Sequence, residues 1–385
     1  MEKPADMKIS SGYTLVDTAE GLARVTELLK GTARVGMDTE ADSLHHYFEK
    51  VCLIQLSFLG ENFIIDPLAG FPLTEFFEEL SKKELIFQGA DFDLRILKKS
   101  AGFRPKAPVF DTMLAAQLLG YEKIGLAALV EKFFGVVLSK SSQKADWSKR
   151  PLSEKLLTYA SDDTKYLETL ADLMSSELQQ LNRMTWHKEC CERAVKTADQ
   201  PDRVSDREAW RIKGSSKMAP GAYVFLREVW KWRDEEARAK DRPAFMILRN
   251  EDLLDLVVWK EANPQIPLSE GPSFLTRFHG PKRERLEAAL RAAEKIPQSE
   301  WPVLEKRTDW REERPDSEKL EQLLAACKVL AEELKIQPSV LASRSSLTEV
   351  VRHQACTLDK VMEVSGLMKW QAELMMPAIK TLIAV

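Results

Sequence analysis

Residues 33–40 read Ala33-Arg34-Val35-Gly36-Met37-Asp38-Thr39-Glu40, residues 51–58 read VCLIQLSF, and residues 61–66 read ENFIID. The three runs are apolar, β-rich and closely spaced. Connections this short leave no room for a crossover helix, so they predict an antiparallel meander. The first run ends in two acids. Strand side chains alternate faces, so Asp38 and Glu40 point the same way. Two carboxylates on one face repel unless something positive lies between them, and a divalent cation meets that need. Taken alone, the pair reads as a solvated loop edge.

Outward from the meander, helix and strand alternate. The pattern predicts a helix at 73–81, a strand at 84–88, and helices at 91–100, 109–119 and 124–134. A polar, basic loop follows at 138–152, then a helix at 153–177 with Ser153 as its N-cap. This order predicts a mixed sheet with helices on both sides over residues 1–195. A polar linker ends in TADQPDRVSDRE at 197–208. Residues 210–295 carry helical patterns and four tryptophans, Trp210, Trp230, Trp232 and Trp259. A second linker with Pro297, Pro302 and Pro315 leads to helical residues 316–385. The fold class expected is α/β followed by all-α segments.

Composition narrows the function classes. The 385 residues are 44% hydrophobic and 30% charged, with a net charge of −4. That balance argues against blanket electrostatic binding of nucleic acid, but residues 210–295 hold 17 basic against 13 acidic side chains. No apolar run is long enough for a membrane span, and MEKPADMKISSG has no secretory apolar core. The five cysteines, Cys52, Cys190, Cys191, Cys327 and Cys356, form no C-x-x-C. They read as reduced thiols of a cytoplasmic protein. Five scattered histidines argue against zinc.

Two further motifs join the acid pair. Gln88-Gly89-Ala90-Asp91-Phe92-Asp93 follows a short strand and opens a helix, where the dipole favours a carboxylate. Tyr159-Ala160-Ser161-Asp162-Asp163 puts Tyr159 and Asp163, four apart, on one helix face. Acids from one strand and two helices can converge on one point, and such a cluster suits two Mg²⁺ or Mn²⁺ ions. Paired ions of this kind activate water and stabilise the leaving oxygen of a phosphodiester.

These motifs resemble those of the DEDD-type 3′–5′ exonucleases, in the subgroup with Tyr in the third motif, and more narrowly the ribonuclease D family. Thr158 stands where the sister subgroup has His. VCLIQLSF, VFDTMLAAQLLGY at 109–121 and IGLAALVEKFFGVVLSKSSQKADWSKRPLSEKLLTYASDDTKYL at 124–167 extend the likeness over most of residues 20–180. The resemblance implies a ribonuclease H-like (DnaQ-like) domain over 1–195. It implies metal ligands at Asp38, Glu40, Asp93 and Asp163, with Tyr159 orienting the attacking water. The implied reaction is removal of 5′-monophosphates from the 3′ end of RNA, notably tRNA precursors, by a monomer.

FLREVWKWRDEEARAKDRPAFMILRNEDLLDL at 225–256 and FHGPKRERLEAALRAAEK at 278–295 resemble an HRDC domain, expected over 210–295. SSLTEVVRHQ and LMKWQAELMMPAIKTLI resemble parts of a second, divergent HRDC-like domain over 316–385. Such domains bind nucleic acid through a basic face, which implies Lys282, Arg283 and Arg285; a charged helix surface accounts for them equally. In the 138–152 loop, Lys140, Lys144, Lys149 and Arg150 are candidates for phosphate contact and Trp147 for base stacking. His45 and His46 read either as substrate contacts or as solvated loop residues. Asp66 reads as a turn acid and Asp111 as an N-cap. Two rival readings stay open, a DNA 3′–5′ exonuclease and a non-catalytic nucleic-acid adaptor.

Overall fold

The computed structural model describes residues 12–139, 142–201, 208–302 and 315–383. They form two compact units. One holds the described residues before Asp42, Lys50–Asp199, and the described residues from 315 onward. The other holds Asp42–Glu49 and the described residues from 200 to 302.

The first unit is built on a six-stranded sheet in the order β1-β4-β3-β2-β5-β6. The strands are β1 (Thr14–Val16), β2 (Arg34–Ala41), β3 (Val51–Phe58), β4 (Glu61–Ile65), β5 (Glu84–Phe87) and β6 (Val109–Asp111). The expected meander is present: β2 pairs antiparallel with β3, and β3 with β4. β1, β5 and β6 add in parallel, which makes the sheet mixed. β6 corrects the sequence reading, which ran a helix from 109. Three residues are too few to show alternation, and the helix α4 (Thr112–Leu118) starts directly after them.

Alternation along the strands assigns the two faces, apart from a register shift that puts Cys52 beside Leu53 on one of them. Val35, Met37, Ile54, Leu56, Phe63, Leu85 and Phe87 pack under α1 (Ala19–Lys30), α2 (Thr74–Leu80) and α3 (Ala90–Ala101). Cys52, Leu53 and Ile64 face α6 (Glu154–Asp162), while Ile86 and Phe110 meet α4, α5 (Leu126–Phe134) and α7 (Leu167–Gln180). The helix expected at 153–177 is divided between α6 and α7. At the break, the Ser57 hydroxyl on β3 donates to the Thr164 hydroxyl at 2.7 Å, which ties the turn to the sheet.

The helices α13 (Ser317–Glu333), α14 (Pro338–Leu341), α15 (Arg344–Arg352), α16 (Leu358–Ser365) and α17 (Lys369–Ile383) share one continuous core with α4, α5 and α7. Trp186 on α8 (Met184–Ala198) stacks on Trp370 with centroids 4.6 Å apart. Arg183 donates to the carbonyls of Leu118 and Leu334. At Gly120 a Cβ would lie 1.8 Å from the Lys335 carbonyl, and φ is +78°, so only glycine fits.

The second unit is a helical bundle of α9 (Pro220–Ala239), α10 (Ala244–Ile247), α11 (Asn250–Ala262) and α12 (Gly280–Glu294). Trp210 and Trp232 are buried in its core, and Trp230 and Trp259 pack against it half-buried. The loop 42–49 belongs to this unit. Asp241, just past α9, accepts from the backbone N–H of Tyr47 and Phe48 and pairs with His46 Nδ1 at 2.7 Å. Among the described residues no helix is long and apolar enough to cross a membrane, and all five cysteines are free thiols.

Candidate active site

β2 pairs with β5 only over Arg34–Gly36, and β5 ends at Phe87. Beyond that point β2 runs on past the end of β5, at the carboxyl ends of two parallel strands, the end of an α/β sheet at which ligands bind. Asp38 and Glu40 stand at this end of β2, on the same face.

Asp93 comes to this end of the sheet from α3. The chain leaves β5 through Gly89, whose φ of +85° lets it turn directly into the helix. The Asp111 carboxylate fixes this turn, accepting from Gly89 N (3.0 Å) and Ala90 N (2.8 Å). The same carboxylate caps α4 through Met113 N and Leu114 N. Asp111 is thus the expected N-cap, and it also anchors the helix that carries Asp93. Asp93 is 5% exposed, and its Oδ1 accepts from the Thr39 backbone N–H (3.0 Å) and hydroxyl (2.6 Å). Thr39 therefore binds Asp93 to the strand residue between the two acids.

Tyr159 and Asp163 come from α6, which starts at the expected cap, Ser153. Asp163 ends the helix with αR backbone, so it keeps one face with Tyr159. Their side chains act on one another electrostatically, Asp163 raising the Tyr159 hydroxyl. The close approach of this helix end to β2 depends on Gly36. A Cβ there would meet Leu167 Cβ at 3.1 Å and the Thr164 carbonyl at 3.2 Å.

Asp38, Glu40 and Asp163 each place one carboxylate oxygen within 4.8 Å of the others. Asp93 adjoins this trio, held at one oxygen by Thr39, and acts electrostatically on all three. Burial, then repulsion from Asp163 and Asp93, pushes Glu40 up to about 9. Burial and the other three acids raise Asp38 well above the carboxylate range. Burial pushes Asp93 up to about 7 against the opposing Thr39 bonds, and Asp163 likewise to about 7 against the opposing influence of Tyr159. Burial and the three acids Asp163, Glu40 and Asp38 raise the Tyr159 hydroxyl. Among the described residues no Lys, Arg or His forms an ion pair with these four acids. An all-oxygen donor set with uncompensated negative charge fits a hard divalent cation.

The other sequence candidates divide. Trp147 is 1% exposed, packed with Cys52, Leu53, Ile64 and Leu157, its ring 6.0 Å from that of Tyr159. Its expected role as a base-stacking residue is corrected, because burial leaves no free ring face. Arg150 grips Asp66 through two bonds, 2.5 and 2.7 Å, and donates to the carbonyls of Cys52 and Trp147. Its guanidinium braces the loop to the sheet, and Asp66, which also accepts from Leu68 N, does more than cap a turn. Lys149 is exposed beside Asp146 at 3.5 Å. Lys144 lies in the same loop, and Lys140 lies outside the described residues. In the second unit, Lys282 sits 4.4 Å over the Phe278 ring, and Arg283 and Arg285 pair with Glu287 and Glu236. Sequence reading missed Thr39 and the second role of Asp111. Thr39 lay between two acids on the opposite face, and the VFDT signal announced only the cap.

The 3′–5′ exonuclease family model matches residues 13–179, and the HRDC domain family model matches residues 224–266. A ribonuclease D from Xanthomonas oryzae pv. oryzae is 32% identical over 248 residues, covering 63% of this chain and 67% of that protein. The solved structure of Escherichia coli RNase D, described as an exoribonuclease involved in structured RNA processing, superposes with a TM-score of 0.71 at 22% identity. It covers 97% of this chain and 99% of that one. A protein from Bifidobacterium adolescentis superposes with a TM-score of 0.81 at 22% identity over 100% of both chains. At that identity the two structures bear on the fold, which they share along its length.

Proposed function

Because the chain belongs to the ribonuclease D family and is a metal-dependent 3′–5′ exoribonuclease, we propose that Asp38, Glu40, Asp93 and Asp163 hold two divalent ions, Mg²⁺ or Mn²⁺, and that Tyr159 orients the attacking water. The observation that carries this reading is the convergence of Asp38, Glu40 and Asp163 within 4.8 Å, with Asp93 beside them. When bound, such ions polarise water and neutralise charge on the scissile phosphate. The chain's own residues do the positioning. Asp111 and Thr39 fix Asp93, Gly36 lets the Asp163 turn approach β2, and the Tyr159 hydroxyl directs a water at the phosphorus. Water adds to phosphorus, the bond to the 3′ oxygen breaks, and a 5′-nucleoside monophosphate leaves.

The substrate class proposed is RNA with a single-stranded 3′ end, tRNA precursors among them, acted on by a monomer in the cytoplasm. Lys144 and Lys149 are proposed phosphate contacts of the exonuclease region, and Lys282, Arg283 and Arg285 of the HRDC region. We propose three functional segments: 1–195 as the exonuclease, 210–295 as the HRDC domain and 316–385 as a divergent HRDC-like segment built into the exonuclease core.

The test uses purified protein on 3′-labelled RNA and DNA of matched sequence, and on a tRNA precursor, with Mg²⁺, Mn²⁺ or EDTA. Stepwise loss of 3′ nucleotides from RNA, abolished by EDTA, is expected. Asp93→Asn and Asp163→Ala are expected to remove cleavage and spare RNA binding. Metal-dependent cleavage retained by either variant would sink the ligand assignment, and faster cleavage of DNA would favour the rival DNA exonuclease.

A further inference from the structure

Gln55 lies on β3 directly opposite Asp38 on β2. Facing residues of an antiparallel pair are about 5 Å apart with side chains on one face. Gln55 is fully buried, at 0% exposure, and among the described residues neither its amide oxygen nor its amide nitrogen has a hydrogen-bond partner. Its neighbours along that face are settled differently. Ser57, two residues on, bonds to both Thr164 and Asn62, and Leu53, two residues back, packs against apolar side chains. A buried polar group without a partner is costly, and Leu or Met would fill the same volume without that cost. An amide retained there, beside the metal-site acid, needs a partner that the protein alone does not supply.

We propose that Gln55 is a positioning residue that hydrogen-bonds the ionised Asp38 carboxylate and so orients it toward the cation. The terminal amide turns about a soft torsion, so the bond can form without movement of the strand. Gln55 touches no reacting atom; it acts through Asp38. This inference rests on the proposed metal role of Asp38, and the two can fail separately.

The test is Gln55→Met in the full chain, with Gln55→Leu as a second variant should the first fold poorly. Three quantities are measured: melting temperature in EDTA, Mg²⁺ affinity by calorimetry, and kcat and KM on labelled RNA. In EDTA the variant is expected to melt at or above the wild-type temperature, because an unpartnered amide has been removed. Its Mg²⁺ affinity is expected to fall about tenfold, the usual effect of losing a partner to a metal ligand. kcat is expected to fall with it, while KM for RNA holds. A variant that melts lower in EDTA and binds Mg²⁺ like wild type overturns the proposal, since Gln55 would then be a structural residue only. Wild-type protein that binds no Mg²⁺, and is matched by Asp38→Asn, defeats the metal reading and this proposal together. Wild-type binding lost in Asp38→Asn but unchanged in Gln55→Met defeats this proposal alone.

Discussion

Thr39 donates both its backbone N–H and its hydroxyl to one oxygen of Asp93, at 3.0 and 2.6 Å. The bond ties a helix-borne acid to the strand that carries Asp38 and Glu40, so sheet and helix hold a common geometry. It also favours the ionised form of Asp93 against the burial that pushes it up to about 7. Thr39→Val keeps the shape and the backbone bond but removes the hydroxyl. Turnover at neutral pH should fall roughly tenfold, and the acid limb of the pH–rate profile should move upward. A higher assay pH should recover part of the loss. A loss equal at every pH would mean that Thr39 acts only by packing.

The acid cluster sets a pH window for the metal-free protein. All four carboxyls have folded-state values raised above their unfolded ones, to about 9 for Glu40 and about 7 for Asp93 and Asp163. A raised acid binds its proton more tightly when folded. Its stability contribution is therefore complete below about pH 4 and is lost as pH climbs through 7 toward 9. In EDTA the melting temperature should drop by at least about 5 °C between pH 5 and 9. Saturating Mg²⁺ should flatten that slope, and its binding should release protons, seen as a buffer-dependent calorimetric enthalpy. A flat profile in EDTA would mean that the four acids are solvated.

Much of this was legible in the sequence, because the signals were local. VCLIQLSF is β3 residue for residue, and the spacings D-x-E and Y-x-x-x-D fixed which acids share a face. Features built from distant pairings were hidden. β1 and β6 have three residues each, too few for a period of two to register. Trp147 stands among Lys144, Asp146, Ser148 and Lys149, and its polar neighbours concealed that its ring packs beneath α6. At the break between α6 and α7, Thr164 is held by Ser57, more than a hundred residues earlier. The amphipathic faces of α13 and α17 announced burial without saying that α4 and α7 would share it.

Asp111 serves two helices with one carboxylate, so its loss should be felt twice. Asp111→Ala leaves four backbone N–H groups without their acceptor, at the starts of α3 and α4. A cap is worth about 1 kcal/mol and a buried unpaired donor more, so a loss of about 2–4 kcal/mol is expected. Activity should fall further than stability does at a temperature where the variant is fully folded, because the start of α3 aims Asp93. Denaturant unfolding and turnover at that temperature check both. Full specific activity in folded Asp111→Ala would show that α3 holds its position without this anchor.

Gly36 offers the sharpest separation of geometry from chemistry, since it bears no functional group. A methyl there would press on Leu167 Cβ at 3.1 Å, at the start of α7, and on the Thr164 carbonyl at 3.2 Å, in the turn after Asp163. Neither neighbour is a flexible side-chain tip, so the turn itself must shift by a few tenths of an ångström. Overpacking of this kind costs about 1–3 kcal/mol. The shift should carry Asp163 away from Asp38 and Glu40, and small misplacements at a reacting centre cost up to about 10²-fold in rate. Gly36→Ala should therefore stay folded, bind Mg²⁺ more weakly and turn over RNA at least about tenfold more slowly, while KM for RNA stays near wild type. Wild-type turnover in a folded Gly36→Ala protein would mean that the α6–α7 turn tolerates the displacement and that Asp163 is not positioned through this contact.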